Sequence, residues 1–283
     1  MAKKIFSIAF YSIRQRATEP RIITLFILMS VFIWNHISVI GDLTPLTGLK
    51  TNPLIFPFFS SDPLNQLILF AGVIFLFADA PFINEGQSYV IIRCNRLSWI
   101  MGQIVYIVMA SAIYFMILMC VSVIILLPNG TFATNGWGKI VNTLAQTNAG
   151  RQINLQFTIS EKITSFYTPF EAFGLCFFLN WGCASFLGLT IFILNMKFNR
   201  GIGLVFCAMI LFFDLLVLNA LPIIFYYFSP VSISRLTLLD PLNVLRFPTI
   251  NYSIIFYSIG SVILSILLII NFKNESIESS SEF

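Results

Sequence analysis

The sequence predicts an all-α polytopic membrane protein with six transmembrane helices, and three observations predict it. Apolar runs cover roughly 22–41, 64–84, 100–127, 170–195, 201–228 and 251–272, each meeting the roughly 20 residues a helix needs to cross a bilayer. Charged residues make up 10% of the 283, against about 25% in a soluble domain. The chain also holds 31 phenylalanines, more than a soluble core of this size would bury; acyl chains solvate them. Lipid offers no partner to an open backbone group, so helices are the form such runs take. The whole chain reads as one transmembrane domain.

The first element is residues 3–19. Ile5, Phe6, Ala9, Phe10 and Ile13 share one helical face, with Lys3, Lys4, Arg14 and Arg16 around the remainder. That pattern predicts a basic amphipathic helix in the headgroup region, broken by Glu19-Pro20. It reads equally as a charged flank and as an interface helix touching a cytosolic partner. The first apolar run begins at Ile22 after five basic residues, is too long for a signal core and lacks a small-residue cleavage site. It is expected to remain as the first span.

Lysine and arginine placement sets the orientation. With the N-terminus inside, the inner segments 1–21, 85–99, 196–200 and 273–283 hold ten basic residues. The longer outer segments 42–63, 128–169 and 229–250 hold six. Both termini are therefore expected in the cytosol. Trp99 at the inner start of span three, with Tyr226, Tyr227 and Tyr252 at outer ends, fits an aromatic belt.

The outer loops differ. Pro45, Pro53, Pro57 and Pro63 in the first rule out a continuous helix there. The second, 128–169, carries turn signals at Asn129-Gly130, Asn135-Gly136 and Asn148-Ala149-Gly150 and predicts a small ordered cap. The third, 229–250, is semi-apolar and too broken to span. It reads as a re-entrant region of one or two short helices covered by protein. The Ser- and Glu-rich tail 273–283 reads as disordered.

Several chemistries find no support. The five cysteines make no disulfide framework or metal pair, and His36, the sole histidine, reads as packed. No dense basic patch suggests nucleic acid. The chain has no Gly-x-x-x-x-Gly-Lys-Ser/Thr phosphate loop, His-Glu-x-x-His or Gly-x-Ser-x-Gly, so no ATP hydrolysis, cofactor, metal or enzyme activity is expected of it. Asp79 and Asp214 are the notable intramembrane acids, because charge in lipid is costly. Asp214 sits among Leu, Phe and Val, so its partner must come from another helix or subunit. It could line a polar conduit, but one structural bond between helices is preferred. Asp79, beside Pro81, reads as a helix-end structural acid. Span four carries Gly174, Gly182, Ala184, Ser185 and Gly188; such small faces let helices approach closely, either within the chain or across a dimer.

The stretch Asp79 to Trp99 is a charged island between two apolar runs. Glu85 to Ser98 is long enough for about three helical turns. Arg93 and Arg96, three apart, would face the cytosol together, while Tyr89, Ile92 and Trp99 face the membrane. The Asp79-Ala80-Pro81-Phe82-Ile83 exit, the Tyr89-Val90-Ile91-Ile92-Arg93 run and Asn95-Arg96-Leu97-Ser98-Trp99 resemble the loop after the second span of bacterial ATP-binding-cassette permeases of the type-two exporter class. The likeness in plan extends over nearly the whole chain, although the long 128–169 loop departs from the leanest members. It implies a half-transporter in the cell membrane that pairs with a like or sister permease. A cytosolic nucleotide-binding ATPase subunit would carry ATP and Mg. Glu85, Arg93, Arg96 and Trp99 would belong to the loop docking on that ATPase, with Lys3, Lys4, Arg14 and Arg16 as a second contact. The implied cargo is a hydrophobic or peptide-like compound, an antimicrobial among them. The alternative is a secondary carrier or channel that uses Asp214 for protons or ions.

Overall fold

The computed structural model describes residues 2–82, 95–132, 136–147, 149–199, 201–242 and 246–272. Among them the regular structure is helical: α1 (Ala2–Ala17), α2 (Pro20–Thr47), α3 (Phe56–Ser61), α4 (Pro63–Phe77), α5 (Arg96–Leu126), α6 (Gly138–Gln146), α7 (Ala149–Gln152), α8 (Glu161–Phe166), α9 (Pro169–Lys197), α10 (Ile202–Asn219) and α11 (Ile250–Phe272). Five of these, α2, α5, α9, α10 and α11, are long and apolar enough to cross a membrane. The chain is an all-α, multi-pass membrane protein.

The second apolar run departs from its expected span over 64–84. Its helix, α4, has 15 residues and a length of about 22 Å, short of a bilayer core. Asp62 fixes its start by accepting from the Leu64 and Asn65 amides, and turns at Ala78–Pro81 end it. Just before it lies α3, whose six residues are all buried. The two form one broken helix inside the bundle. The fifth run also stops early: α10 ends at Asn219, Pro222 follows, and Ile223–Tyr227 is a 3₁₀ turn.

Proline in the first loop breaks the chain less than its sequence suggests. Helix α2 runs through Pro45 to a left-handed Gly48 cap at φ 66°. A proline leaves the carbonyl four residues earlier without its amide. Here that is Gly41, and the Asn129 side-chain amide donates to its oxygen at 3.2 Å. Residues 51–61, read from the sequence as part of the first outer loop, are buried throughout.

They are covered by the described residues of the 128–169 segment, which form a cap. Trp137, Ile140, Val141, Leu144, Phe157 and Ile163 form its small core. Trp137 meets Phe58 edge-on at 4.7 Å between centroids, and Phe157 meets Phe59 at 5.8 Å. The Thr131 amide donates to the Thr51 carbonyl at 2.9 Å. Cap and first loop thus share one hydrophobic core.

Helix α9 is the centre of the bundle. Its most apolar window is 67% buried, against 17% for α11, and it packs against α3, α4, α5, α10 and α11. Gly188 serves a seam within the chain: a Cβ there would stand 2.7 Å from Ile107 Cγ2 and 2.9 Å from the Phe77 ring, whereas one on Gly174 would meet nothing within 4 Å. The α9–α10 turn is held by Asn195. Its Oδ1 accepts from the Gly203 amide at 2.8 Å and its Nδ2 donates to the Ala80 carbonyl at 2.9 Å. One side chain therefore ties together the ends of α4, α9 and α10.

Candidate functional site

Two charge clusters stand out, at opposite ends of the bundle. The first joins α1 to the end of α4. Helix α1 lies along α5 with Ile8, Ala9, Ser12 and Arg16 turned inward. These positions follow a helical stripe that shares Ala9 with the apolar face read from the sequence; Phe6 and Phe10 of that face stay outside the bundle. Lys3, Lys4 and Arg14 are exposed.

Arg16 departs from the basic face anticipated for it. It is 4% exposed, and its guanidinium lies 4.2 Å above the Phe82 ring centroid, an attractive cation–π arrangement. It also stands 3.8 Å from Glu19 and 3.9 Å from Asp79. Arg21 pairs with Asp79 and donates to the Phe75 carbonyl. Asp79 thus stands just past the end of α4 with two arginines as its partners. This knot sits directly before residues 83–94.

The remaining residues of that stretch divide. Glu85 and Arg93 lie outside the described residues, as does the tail 273–283. Arg96 opens α5. Trp99 is 2% exposed and meets Phe192 at 6.3 Å, so it packs into the bundle and does not face headgroups. The reason is geometric: the first turn of α5 leans on the last turns of α9. His36 is packed as expected, its Nδ1 2.9 Å from the Phe32 carbonyl and its ring against Phe59.

The second cluster surrounds Asp214. One carboxylate oxygen pairs with the Arg235 guanidinium. The other accepts from the Ser229 hydroxyl at 2.9 Å and from the Ser232 hydroxyl. All four residues are buried, Arg235 at 1% and Asp214 at 2%. The partner is on the same chain, in the re-entrant stretch, where Arg235 was counted as an outer loop charge. The described residues of that stretch before Ile250 hold no α-helix, where one or two short helices are expected; Ser232–Ser234 is a single 3₁₀ turn. Side chains fix it instead. Gln66 Nε2 donates to the Val231 carbonyl at 3.2 Å and to Ser234 Oγ at 2.7 Å. Tyr257 Oη donates to the Pro230 carbonyl at 2.6 Å, and Cys183 Sγ lies 3.5 Å from the same oxygen. From the cap, Lys162 Nζ donates to the Thr237 carbonyl at 3.0 Å. Burial pushes the Lys162 ammonium below the ordinary lysine value, and nearby Asp240 opposes that shift.

Chemically, this cluster is a neutralised pair wrapped in hydroxyls. It binds the re-entrant stretch to α4, α9, α10 and α11 and leaves no carboxylate oxygen unengaged. Removing either charge would strand the other in a dry interior. Among the described residues, no group of three or more His, Cys, Asp or Glu side chains could hold a metal ion. Comparison with known proteins finds no match to this chain, whether to a family, a curated protein or a solved structure.

Proposed function

We propose that this chain is the membrane-spanning permease subunit of an ATP-driven exporter. A separate cytosolic ATPase subunit would bind ATP and Mg, and a second permease, identical or sister, would complete the pathway. The chain would lie in the cell membrane with both termini in the cytosol, moving a hydrophobic or peptide-like compound.

The observation that carries this reading is the knot of Arg16, Arg21, Glu19 and Asp79. It ties α1, the start of α2 and the end of α4 together. A push on Arg93, Arg96 or the exposed Lys3, Lys4 and Arg14 would reach α4 through Asp79. It would reach α9 and α10 through the Asn195 bond to Ala80. Such a lever supports force received from a partner. The rival carrier reading draws no support from Asp214, whose two oxygens already hold Arg235, Ser229 and Ser232.

Purification in mild detergent should recover a soluble ATPase with this chain. Reversal of Arg93 and Arg96 to Glu should separate ATP hydrolysis from transport while leaving the fold intact. Purification of the chain alone, with transport in liposomes that needs no ATP, would overturn the proposal.

A further inference from the structure

Helix α1 meets the bundle along one side only, through Ile8, Ala9, Ser12 and Arg16 against α5. On the opposite side Lys3, Phe6, Phe10 and Arg14 follow one another at spacings of three and four, which makes one row along a helix. Phe6 is 52% exposed and Phe10 59%, with Tyr11 beside them at 44%. Lys3, Lys4 and Arg14 are exposed as well, and α1 contains no acid. The row is thus a pair of aromatic rings with a cation at either end.

The fold sets the depth of this row. Only Thr18 and Glu19 separate α1 from α2, which is long enough to cross a membrane. On its inner side Ile8 is pressed against Gly102 of α5, where a Cβ would stand 2.7 Å from Ile8 Cγ2. Helix α5 has 31 residues and a length of about 46 Å, and Gly102 lies about 9 Å from its first residue. A hydrocarbon core is about 30 Å thick, so an upright, centred helix of that length projects about 8 Å at each end. Gly102, and α1 with it, therefore stands where headgroups give way to acyl chains. Arg16, held 4.2 Å above the Phe82 ring centroid, keeps the opposite face of α1 inward and the aromatic row outward. Rings bordered by cations suit that boundary: the rings enter the acyl region, while the stems of lysine and arginine carry their charges out to phosphate. With three exposed cations and no acid, the row matches negatively charged lipid.

We infer that the outward face of α1 is a docking surface for anionic phospholipid, with Lys3, Lys4 and Arg14 on the headgroup phosphates and Phe6, Phe10 and Tyr11 among the upper acyl carbons. The surface is independent of the exporter reading.

The test uses the full chain in mild detergent with an equimolar mixture of phosphatidylglycerol and phosphatidylcholine, and bound lipid is counted by mass spectrometry. Each cation near an anionic surface strengthens attachment about fivefold. The parent should retain phosphatidylglycerol over phosphatidylcholine. The triple variant Lys3→Gln, Lys4→Gln, Arg14→Gln should lower that preference tenfold or more, and 0.5 M salt should lower it in the parent. An unchanged preference in the triple variant would overturn the lipid surface.

A second measurement needs none of these substitutions. Ser7 is exposed beside the row. A nitroxide is attached at Ser7→Cys in a chain carrying Cys94→Ala and Cys120→Ala, with Cys176, Cys183 and Cys207 buried. In vesicles of phosphatidylcholine and phosphatidylglycerol at two to one, the label should collide with oxygen more than with a water-soluble nickel chelate. The reverse order would place the face in water, leave it to a protein partner and overturn the inference. Both measurements are made on the chain without an ATPase, so their failure is distinct from failure to recover one.

Discussion

Replacing Asp214 by alanine leaves the Arg235 guanidinium at 1% exposure with no counter-charge. Stranding one member of a buried pair costs about 3–5 kcal/mol. The Ser229 and Ser232 hydroxyls lose their acceptor as well, worth about 1 kcal/mol each at most. Against a typical total of about 5–15 kcal/mol, the single variant should stand near the limit of folding. The double variant Asp214→Leu with Arg235→Met removes both charges and fills similar volume, so it should stay within about 2 kcal/mol of the parent. With the singles Asp214→Leu and Arg235→Met each costing about 3–5 kcal/mol, the two sites would then be coupled by about 4 kcal/mol or more, above the usual range for groups in direct contact. Unfolding in mixed micelles of rising sodium dodecyl sulfate, followed by tryptophan emission, measures all four corners of this cycle. A cost below about 1 kcal/mol for Asp214→Ala, or a double variant that loses the sum of the singles, would refute a dry interior ion pair.

Other consequences can be checked with the same equipment. Trp137→Ala empties the centre of the cap and should cost about 3–5 kcal/mol locally; limited proteolysis should then cut within 138–166 while the spanning helices stay protected. Gly203→Ala would push a Cβ to 2.6 Å from the Ile191 carbonyl, and overpacking of that kind costs about 1–3 kcal/mol, read as a lower unfolding midpoint. Arg16→Ala should destabilise the protein through loss of its ring and carboxylate contacts. Arg14→Ala, at an exposed position, should leave the midpoint within about 0.5 kcal/mol; under the proposed function it should also weaken capture of the proposed ATPase subunit.

Much of this architecture is written locally, and the parts that are not share a physical reason. Apolar runs and a lone acid in lipid are conspicuous, so the helices and Asp214 could be read directly. Arg235 could not, because nothing periodic links a Ser-rich broken stretch to a helix 21 residues earlier. The prolines of 45–63 indicate only a broken helix; burial there depends on Asn129 and the cap, both distant in sequence. Arg16 left a fainter signal. Ala9, Ser12 and Arg16 are spaced by three and four, which places the arginine on a small-residue stripe suited to close packing. The small residues of span four announced a close seam, but only packing against Ile107 and Phe77 shows it to be within the chain.

The broken helix of α3 and α4 also bears on how the protein is made. Asn65 and Gln66 face inward, and the groups that receive Gln66 lie 165 and 168 residues further along the chain. During synthesis, α4 leaves the ribosome long before α9 or the re-entrant stretch exists. The young hairpin therefore presents an amide-bearing edge to the insertion machinery before the groups that receive Gln66 exist. Its place in the bilayer is secured only when the second half of the chain arrives. A product truncated before α9 would keep that edge uncovered, which is a distinguishing mark for membrane quality control.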